Sequence, residues 1–167
     1  MNTLALSPGL TSLVVGVGEL AVSADVAECL VTYALGSCLG IAIVDPIARV
    51  GGLLHVMLPD SSIESGGERR LTRFVDSGVP MLFKEAYRLG AVKHRLLVRV
   101  AGGASASAND GFQIGKRNIL ALRRILWRNG VLVHGQDLGG VQHSRTMLVE
   151  VGTGRVLVRS GTELRAL

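Results

Sequence analysis

The amino-acid sequence predicts a mixed α/β domain, in which two main helices pack on a layered β-sheet. Two segments, 69–89 and 113–128, repeat apolar residues at the spacing of an amphipathic helix. Short apolar runs rich in β-branched residues surround them, in the order strands, helix, strand, helix, strands. Hydrophobic residues form 48% of the 167-residue chain, which is enough for a buried core. We therefore expect residues 1–167 to fold as one domain.

Strand signals dominate the first third of the chain. Residues 1–11 are interpreted as a flexible N-terminal tail. Strands are predicted over four apolar runs, 12–17, 28–34, 39–44 and 50–57. Between the last two runs, Asp45-Pro46 supplies the residues of a type I turn, which predicts a hairpin.

The first helix follows a polar loop. This loop, 60–68, is rich in Ser and Gly, and we expect it to be mobile. The helical pattern then covers 69–89, but Pro80 interrupts it, which predicts a kink or two stacked helices. Gly90 is a suitable C-terminal cap.

A Gly-rich loop separates the next strand from the second helix. The strand is predicted over 95–100, the loop over 101–111 and the helix over 113–128, ending before Asn129-Gly130. Three further strands are predicted at 131–136, 146–151 and 155–159.

Basic residues outnumber acidic ones, 18 to 13, giving a net charge of +5. Most are scattered, and the one cluster is Lys116, Arg117, Arg123, Arg124 and Arg128. No stacking aromatics are expected to interleave this cluster, so we predict a solvated helix face and no nucleic-acid site. A weaker hypothesis is that Lys116, Arg123 and Arg124 bind an acidic protein partner.

The cellular location of the protein is predicted from its cysteines, its N-terminus and the length of its apolar runs. Cys29 and Cys38 make no disulfide framework. The N-terminus has no basic region ahead of an apolar stretch, and no apolar run reaches about 18 residues. We therefore expect a cytoplasmic protein without membrane insertion, in which Cys38 stays reduced.

Three familiar site patterns are weak here. Residues 16–21 match the loose dinucleotide fingerprint, but no helix pattern starts there. Residues 111–116 have the wrong glycine spacing for a P-loop. The potential zinc ligands lack the usual paired spacing, so we expect no metal. These ligands are Cys29, Cys38, His55, His134 and His143. Cys29 is predicted to be a small core residue, and structural or surface roles are expected for His94, His134 and His143.

Cys38 and His55 form the most informative pair, because a thiol beside an imidazole can carry out acyl transfer. If Asp45 opposes Ala48 across the hairpin turn, Cys38 directly opposes His55, with Cβ atoms roughly 5 Å apart. A four-residue loop centred at the same place keeps this register. A bulge at Gly51-Gly52 would break it.

The residues before Cys38 support a catalytic role without requiring one. Gly36-Ser37 lies at a strand start, where the backbone can bend and expose N–H groups. The N–H groups of Ser37 and Cys38 are therefore candidates for stabilising an oxyanion. A structural role for Cys38 remains open on these residues alone.

Several ordered motifs give the chain a resemblance to a known family. The run Leu35-Gly36-Ser37-Cys38, followed by His55-Val56-Met57-Leu58-Pro59, resembles the CheD family of bacterial and archaeal chemotaxis proteins. Further similar segments, at consistent spacing, are 73–76, 101–104, 114–118 and 137–140 with Arg145.

The resemblance implies a chemoreceptor glutamine deamidase. Such enzymes convert glutamine side chains on the cytoplasmic helices of methyl-accepting chemotaxis receptors to glutamate and release ammonia. The family's triad is matched here by Cys38 as nucleophile, His55 as general base and acid, and Thr32 as the group that orients the imidazole. The implied fold is a layered α/β domain with thiol-hydrolase geometry, and no metal or organic cofactor is needed.

The resemblance also leaves alternatives. Family members bind a CheC-type phosphatase, so the chain could act mainly as a non-enzymatic adaptor or regulator. The intact triad favours the enzyme. A cysteine hydrolase with another amide substrate remains open as well.

Two segments depart from the family pattern. Ser144 replaces a frequent Gly, and 104–107 is smaller than usual. We expect both to lie away from the triad and to affect substrate or partner contacts.

Overall fold

The computed structural model of the chain describes residues 6–63 and 70–167. Within these residues it contains ten strands and two helices. The strands are β1 Thr11–Val14, β2 Leu20–Ser23, β3 Glu28–Leu35, β4 Leu39–Asp45, β5 Val50–Val56, β6 Leu97–Gly102, β7 Val133–Leu138, β8 Arg145–Glu150, β9 Val156–Ser160 and β10 Glu163–Ala166. The helices are α1 Val75–Arg88 and α2 Ile114–Arg128. Residues 1–5 of the predicted tail and 64–68 of the predicted mobile loop lie outside the described residues.

The strands form two stacked five-stranded sheets. The central sheet has the order β2-β5-β4-β6-β7, and the outer sheet has the order β1-β3-β8-β9-β10. Both helices pack on one face of the central sheet, and the outer sheet packs on its other face. The predicted α/β class, with two helices on sheet, is therefore confirmed, and the result is three layers.

The middle strands of the central sheet are apolar on both faces because both faces are covered. In β4, Ile41 and Ile43 face the helices, whereas Ala42 and Val44 face the outer sheet. Every residue of β4 and β5 is buried. These two strands therefore form a rigid base for the residues at their ends.

The first helix is shorter and less broken than predicted. It begins at Val75, and a separate 3₁₀ turn covers Leu71–Arg73. The helix then continues through Pro80. Val79 and Leu82 bury against the central sheet, and this packing outweighs the hydrogen bond that Pro80 cannot donate.

The predicted hairpin is present, but its register differs from the prediction. Asp45 pairs with Val50, and Gly40 pairs with His55. The Asp45 carboxylate accepts hydrogen bonds from the N–H groups of Ile47 and Ala48, so neither residue joins the ladder. Arg49 then takes a left-handed conformation with φ of 53°, which closes a four-residue loop.

The difference moves the register by two residues and therefore keeps each side chain on its predicted face. Gly40 and not Cys38 is the direct partner of His55, because Cys38 lies just before β4 and outside the ladder. The Cys38 side chain packs on the inter-sheet side, where Thr32 contacts His55, so the expectation of a shared face is kept. No bulge interrupts the pairing of β4 with β5.

Candidate active site

Cys38 lies where the chain crosses from the outer sheet to the central sheet. β3 ends at Leu35 and β4 begins at Leu39, so three residues make the crossing. The crossing is sharp, since Ala34 has a φ of 56° and its carbonyl accepts a hydrogen bond from the Gly36 N–H at 2.9 Å. The Cys38 side chain is consequently half-buried at the end of the inter-sheet core.

A second loop holds this crossing from the side. The N–H of Gly103 donates to the Cys38 carbonyl at 2.9 Å, and the N–H of Ala104 donates to the Gly36 carbonyl at 2.8 Å. Gly102 has a φ of 114°, and a Cβ there would lie 2.1 Å from the Cys38 carbonyl oxygen. Only glycine permits this approach, so the 102–104 loop and the Cys38 backbone are fitted to each other.

His55 and Thr32 connect the two sheets. Thr32 is on β3 of the outer sheet and His55 is on β5 of the central sheet, and both side chains are fully buried. Thr32 Oγ1 lies 2.7 Å from His55 Nδ1. The orientation of the imidazole is therefore set by a residue of the opposite sheet.

The same contacts determine the imidazole tautomer. The Thr32 hydroxyl donates its one hydrogen to the carbonyl of Val15, at 2.7 Å. It must then accept a hydrogen from His55, which places the proton of a neutral imidazole on Nδ1. His55 Nε2 keeps its lone pair, and it finds no hydrogen-bond partner among the described residues. The Cys38 thiol is therefore not hydrogen-bonded to Nε2 in this structure, and the two must approach for His55 to act as its general base.

Cys38 and His55 share the face of the central sheet that meets the outer sheet. His55 pairs with Gly40, and Cys38 precedes Gly40 by two residues. Diagonal neighbours of this kind lie roughly 7–8 Å apart between backbones, within reach of a long side chain. The space between the sheets at Gly40 is tight, because a Cβ there would lie 2.8 Å from a Leu35 methyl group.

Burial sets the protonation of both groups. It raises the pKa of the Cys38 thiol, although the residue's own backbone N–H acts in the opposite direction. It lowers the pKa of His55 to about 4. At neutral pH the resting pair is therefore a neutral thiol and a neutral imidazole, and not a thiolate–imidazolium pair.

The candidate oxyanion donors are available. Across residues 6–63 and 70–167, the N–H groups of Ser37 and Cys38 donate to no backbone carbonyl, and the Cys38 N–H lies against its own thiol. Both belong to the crossing segment that carries the thiol. Backbone N–H groups in such a position can stabilise a tetrahedral oxyanion.

Sequence analysis did not assign a role to Asn118, which contacts this site. Its side chain is fully buried, and its Nδ2 donates to the carbonyls of Ser37 at 3.0 Å and Met57 at 2.9 Å. The available signal was a polar residue at spacing four from Leu122 and eight from Leu126, on the buried stripe of α2. A lone amide on an apolar helix face requires buried partners.

The cationic residues of α2 lie apart from the thiol. Lys116, Arg123 and Arg124 are exposed, as predicted for a solvated helix face. The expectation that no aromatic interleaves them is wrong, because Trp127 is 81% exposed between Arg124 and Arg128. Helical spacing places Lys116, Arg123 and Trp127 on one stripe, and Arg124 lines a neighbouring groove.

The two departures from the family pattern lie together beside the crossing segment. A hollow of about 240 Å³ is lined by Ser37, by Ala104 to Ala106 and by Ser144. The expectation that these segments lie away from the triad is therefore wrong. The two segments are about 40 residues apart in sequence, and the bridge between Ser105 and Val141 brings them together.

The remaining candidate ligands are dispersed. Cys29 is buried among Val31, Leu148 and Leu157 of the outer sheet, as predicted. His134 accepts the Val98 N–H at 3.0 Å, and His143 hydrogen-bonds to Ser160 at 2.8 Å, both structural contacts. In the part of the chain that the structure describes, no three His, Cys, Asp or Glu side chains converge as a metal site would require. Within the same residues, neither helix has the length and apolar character that crossing a membrane requires.

Known proteins share the sequence over almost its whole length. The family model described as CheD chemotactic sensory transduction matches residues 57–160. The probable chemoreceptor glutamine deamidase CheD 1 of Syntrophus aciditrophicus is 46% identical over 158 residues, covering 93% of this chain and 98% of that protein. The chain belongs to the CheD family.

A second relative agrees with this assignment. The probable chemoreceptor glutamine deamidase CheD of Solibacter usitatus is 42% identical over 160 residues, covering 95% of this chain and 94% of that protein. Among solved structures, a Neisseria meningitidis protein of the DUF152 family superposes with a TM-score of 0.46 at 9% identity, covering 79% of this chain and 63% of that one.

The CheD family match and the candidate site overlap only in part. The family model begins at residue 57, after Thr32, Cys38 and His55, and includes Asn118 and the cationic face of α2. The alignment with the Syntrophus relative spans 93% of the chain, which necessarily includes residues 32–55. The resemblance to the CheD family that the motifs indicated is thus confirmed.

Proposed function

We propose that this protein is a chemoreceptor glutamine deamidase, which hydrolyses glutamine side chains of methyl-accepting chemotaxis receptors to glutamate and ammonia. The names of the CheD relatives support this substrate and reaction. The observation that carries the proposal is the buried imidazole of His55, with Nδ1 held by Thr32 and Nε2 unpaired on the face that Cys38 shares.

The first half-reaction forms a thioester. His55 Nε2 removes the proton from the Cys38 thiol as the sulfur attacks the glutamine amide carbon. The negative charge that develops on the amide oxygen is stabilised by the N–H groups of Ser37 and Cys38. The protonated His55 then gives its proton to the departing nitrogen, which leaves as ammonia. A thioester between Cys38 and the substrate side chain remains.

The second half-reaction returns the enzyme to its starting state. His55 Nε2 accepts a proton from water as the water oxygen attacks the thioester carbon. Collapse of this intermediate releases the substrate carboxylic acid, and the Cys38 sulfur regains its proton from His55. The net change is glutamine plus water to glutamate plus ammonia, without a cofactor.

Thr32 acts through His55 and is therefore a positioning residue. Its hydroxyl is fixed by the Val15 carbonyl, so it always presents a lone pair to His55 Nδ1. Unlike an aspartate, it adds no charge to stabilise the imidazolium. The low pKa of His55 is consistent with a neutral partner, and the proton stays on His55 only briefly.

The surface around the site fits a protein substrate. The hollow is lined by Ser37, the residue before Cys38, and can take groups that flank the target glutamine. The exposed cations of α2, with Trp127, form a separate surface that we assign to an acidic partner, either the receptor or a CheC-type phosphatase. This second surface is also what a non-enzymatic adaptor would use, which makes the adaptor the competing function. Both functions place the protein in the cytoplasm.

The deciding experiment measures ammonia release from a purified receptor cytoplasmic fragment, with the wild type and Cys38→Ala compared. Mass spectrometry locates the gain of about 1 Da that accompanies conversion of an amide to an acid. We expect release with the wild type and none with Cys38→Ala. Receptor binding without any release would reject the deamidase and favour the adaptor.

A further inference from the structure

We propose that Asn118 of α2 is a positioning residue that sets the direction of the oxyanion-stabilising N–H of Cys38. This inference deepens the proposed function and depends on it only for the catalytic measurements. Asn118 is fully buried, and its side chain donates its hydrogen bonds to backbone carbonyls and not to the thiol or the imidazole. Its effect must therefore pass through the backbone.

One amide group connects the two halves of the site. Asn118 Nδ2 donates to the carbonyl of Ser37, the residue before Cys38, at 3.0 Å. It also donates to the carbonyl of Met57, two residues after His55, at 2.9 Å. The nucleophile segment and the strand that carries the base are thus held to a common point on the helix.

The Ser37 bond has a direct consequence for Cys38. The carbonyl of Ser37 and the N–H of Cys38 belong to one planar trans peptide group, in which they point in opposite directions. Fixing the carbonyl toward Asn118 therefore fixes the N–H away from α2. This N–H lies against the residue's own thiol and donates to no backbone carbonyl within the described residues, so its direction follows from the peptide plane whose carbonyl Asn118 holds.

Only an asparagine-like donor suits this position. Both hydrogens of the amide are used by carbonyl oxygens, which identifies the nitrogen and excludes the flipped amide. An aspartate would place a carboxylate oxygen against two carbonyl oxygens in a buried site. Asn118 Oδ1 itself is buried and has no hydrogen-bond partner among the described residues. The hydrogen bonds of this side chain are therefore the two that its Nδ2 donates.

The helix that carries Asn118 is seated closely on the site. A Cβ at Gly115 would lie 2.4 Å from the carbonyl oxygens of Gly103 and Ala104, whose N–H groups hold the Cys38 and Gly36 carbonyls. The start of α2 therefore meets the same loop that fixes the crossing segment. Asn118 is three residues further along the helix, in a position defined by this contact.

The test compares Asn118→Ala and Asn118→Asp with Leu122→Ala. Leu122 is equally buried on α2 but packs in the helix-side core, so its truncation weakens the fold without touching the Ser37 peptide. Each variant is assayed at a temperature where circular dichroism shows it folded. Loss of one oxyanion donor typically lowers kcat by about 10²-fold. We expect a fall of about that size in both Asn118 variants, with KM changed less than about threefold, and kcat of Leu122→Ala within about twofold of wild type.

A second measurement does not need activity. Hydrogen exchange followed by mass spectrometry should show faster exchange in peptides covering 36–38 and 57 for the Asn118 variants only. If the wild type releases no ammonia but exchange at 36–38 still depends on Asn118, the deamidase proposal fails, whereas the role of Asn118 in holding the Ser37 peptide is supported. Unchanged exchange in Asn118→Asp, or an equal loss of kcat in Leu122→Ala, would reject the role of Asn118.

Discussion

The space between the sheets and the outer face of α2 use polar residues in opposite ways. Between the sheets, Thr32 and His55 are fully buried, and each has the other as a defined hydrogen-bond partner. On the outer face of α2, Arg123 and Arg124 are exposed and act through a diffuse positive potential. Changing one buried atom should therefore have a large, specific effect, whereas changing one exposed charge should have a small effect that salt removes.

Thr32→Val tests the buried side of this comparison and should have the largest effect. Valine keeps the shape but leaves the Nδ1–H of His55 without an acceptor, so the imidazole loses its orientation. We expect kcat for receptor deamidation to fall by roughly 10²-fold. The buried unsatisfied group should also lower the free energy of unfolding by about 1–3 kcal/mol.

Thr32→Ser is the matched control, because serine retains the hydroxyl and loses only a methyl group. Its kcat should stay within about tenfold of wild type, well above that of the valine variant. Equal kcat values for serine and valine, measured by ammonia release, would mean that the hydroxyl does not position His55.

The low pKa of His55 makes stability depend on pH. Its pKa is about 4 in the folded protein, against 6.5 for an ordinary histidine, so the unfolded chain binds an extra proton between these values. Above pH 6.5 the imidazole is neutral in both the folded and the unfolded state, so His55 adds no pH dependence there. The free energy of unfolding falls as pH is lowered from 6.5 to 4. The full effect is about 3 kcal/mol.

Urea unfolding of the wild type and His55→Gln across pH 4–7 isolates this contribution. Buried carboxylates such as Asp45 also lose stabilising contacts in acid, but both proteins share them. The difference in unfolding free energy between the two should change by about 3 kcal/mol over this range. Parallel curves would show that His55 is not the residue that titrates.

The double charge reversal Arg123→Glu/Arg124→Glu tests the exposed side and should have the smallest effect. We expect receptor-fragment affinity to fall about tenfold or less at low salt, and the difference to shrink at 0.5 M salt. The value of kcat at saturating substrate should be unchanged, since neither residue approaches the thiol.

Lys84→Glu/Arg159→Glu gives the matching change in net charge from two other exposed positions. It should have little effect on affinity if the outer face of α2 is the binding surface. An equal loss of affinity in both double variants would mean that only net charge matters, and an unchanged affinity in the first would remove the proposed surface.

Local sequence signals predicted both helices and eight of the ten strands, because each of these was decided by residues close together in the chain; the short strands β2 and β10 were not predicted. The apolar run of β4 and the buried stripe of α2 are examples. The face shared by Cys38 and His55 was also predictable, since a strand alternates its side chains regardless of loop length. The register was not, because it depended on the Asp45 carboxylate binding the turn N–H groups.

Long-range contacts explain what the sequence could not provide. β3 and β4 are both apolar, and nothing local indicates that the chain changes sheets between them. The assignment of Thr32 came from the family resemblance, because only sheet stacking brings it to His55. Asn118 was visible as a polar residue on an apolar face, but its partners are 81 and 61 residues away in sequence.

Thr32 lies on the outer sheet and His55 on the central sheet, so the orientation of the imidazole depends on the packing of the two sheets against each other. A chain with a formed central sheet but an undocked outer sheet would contain Cys38 and His55 in place, yet its imidazole would be free to rotate. Such a chain would have the nucleophile without a directed base. During folding, the thiol would therefore gain a directed base only once the two sheets have closed on each other.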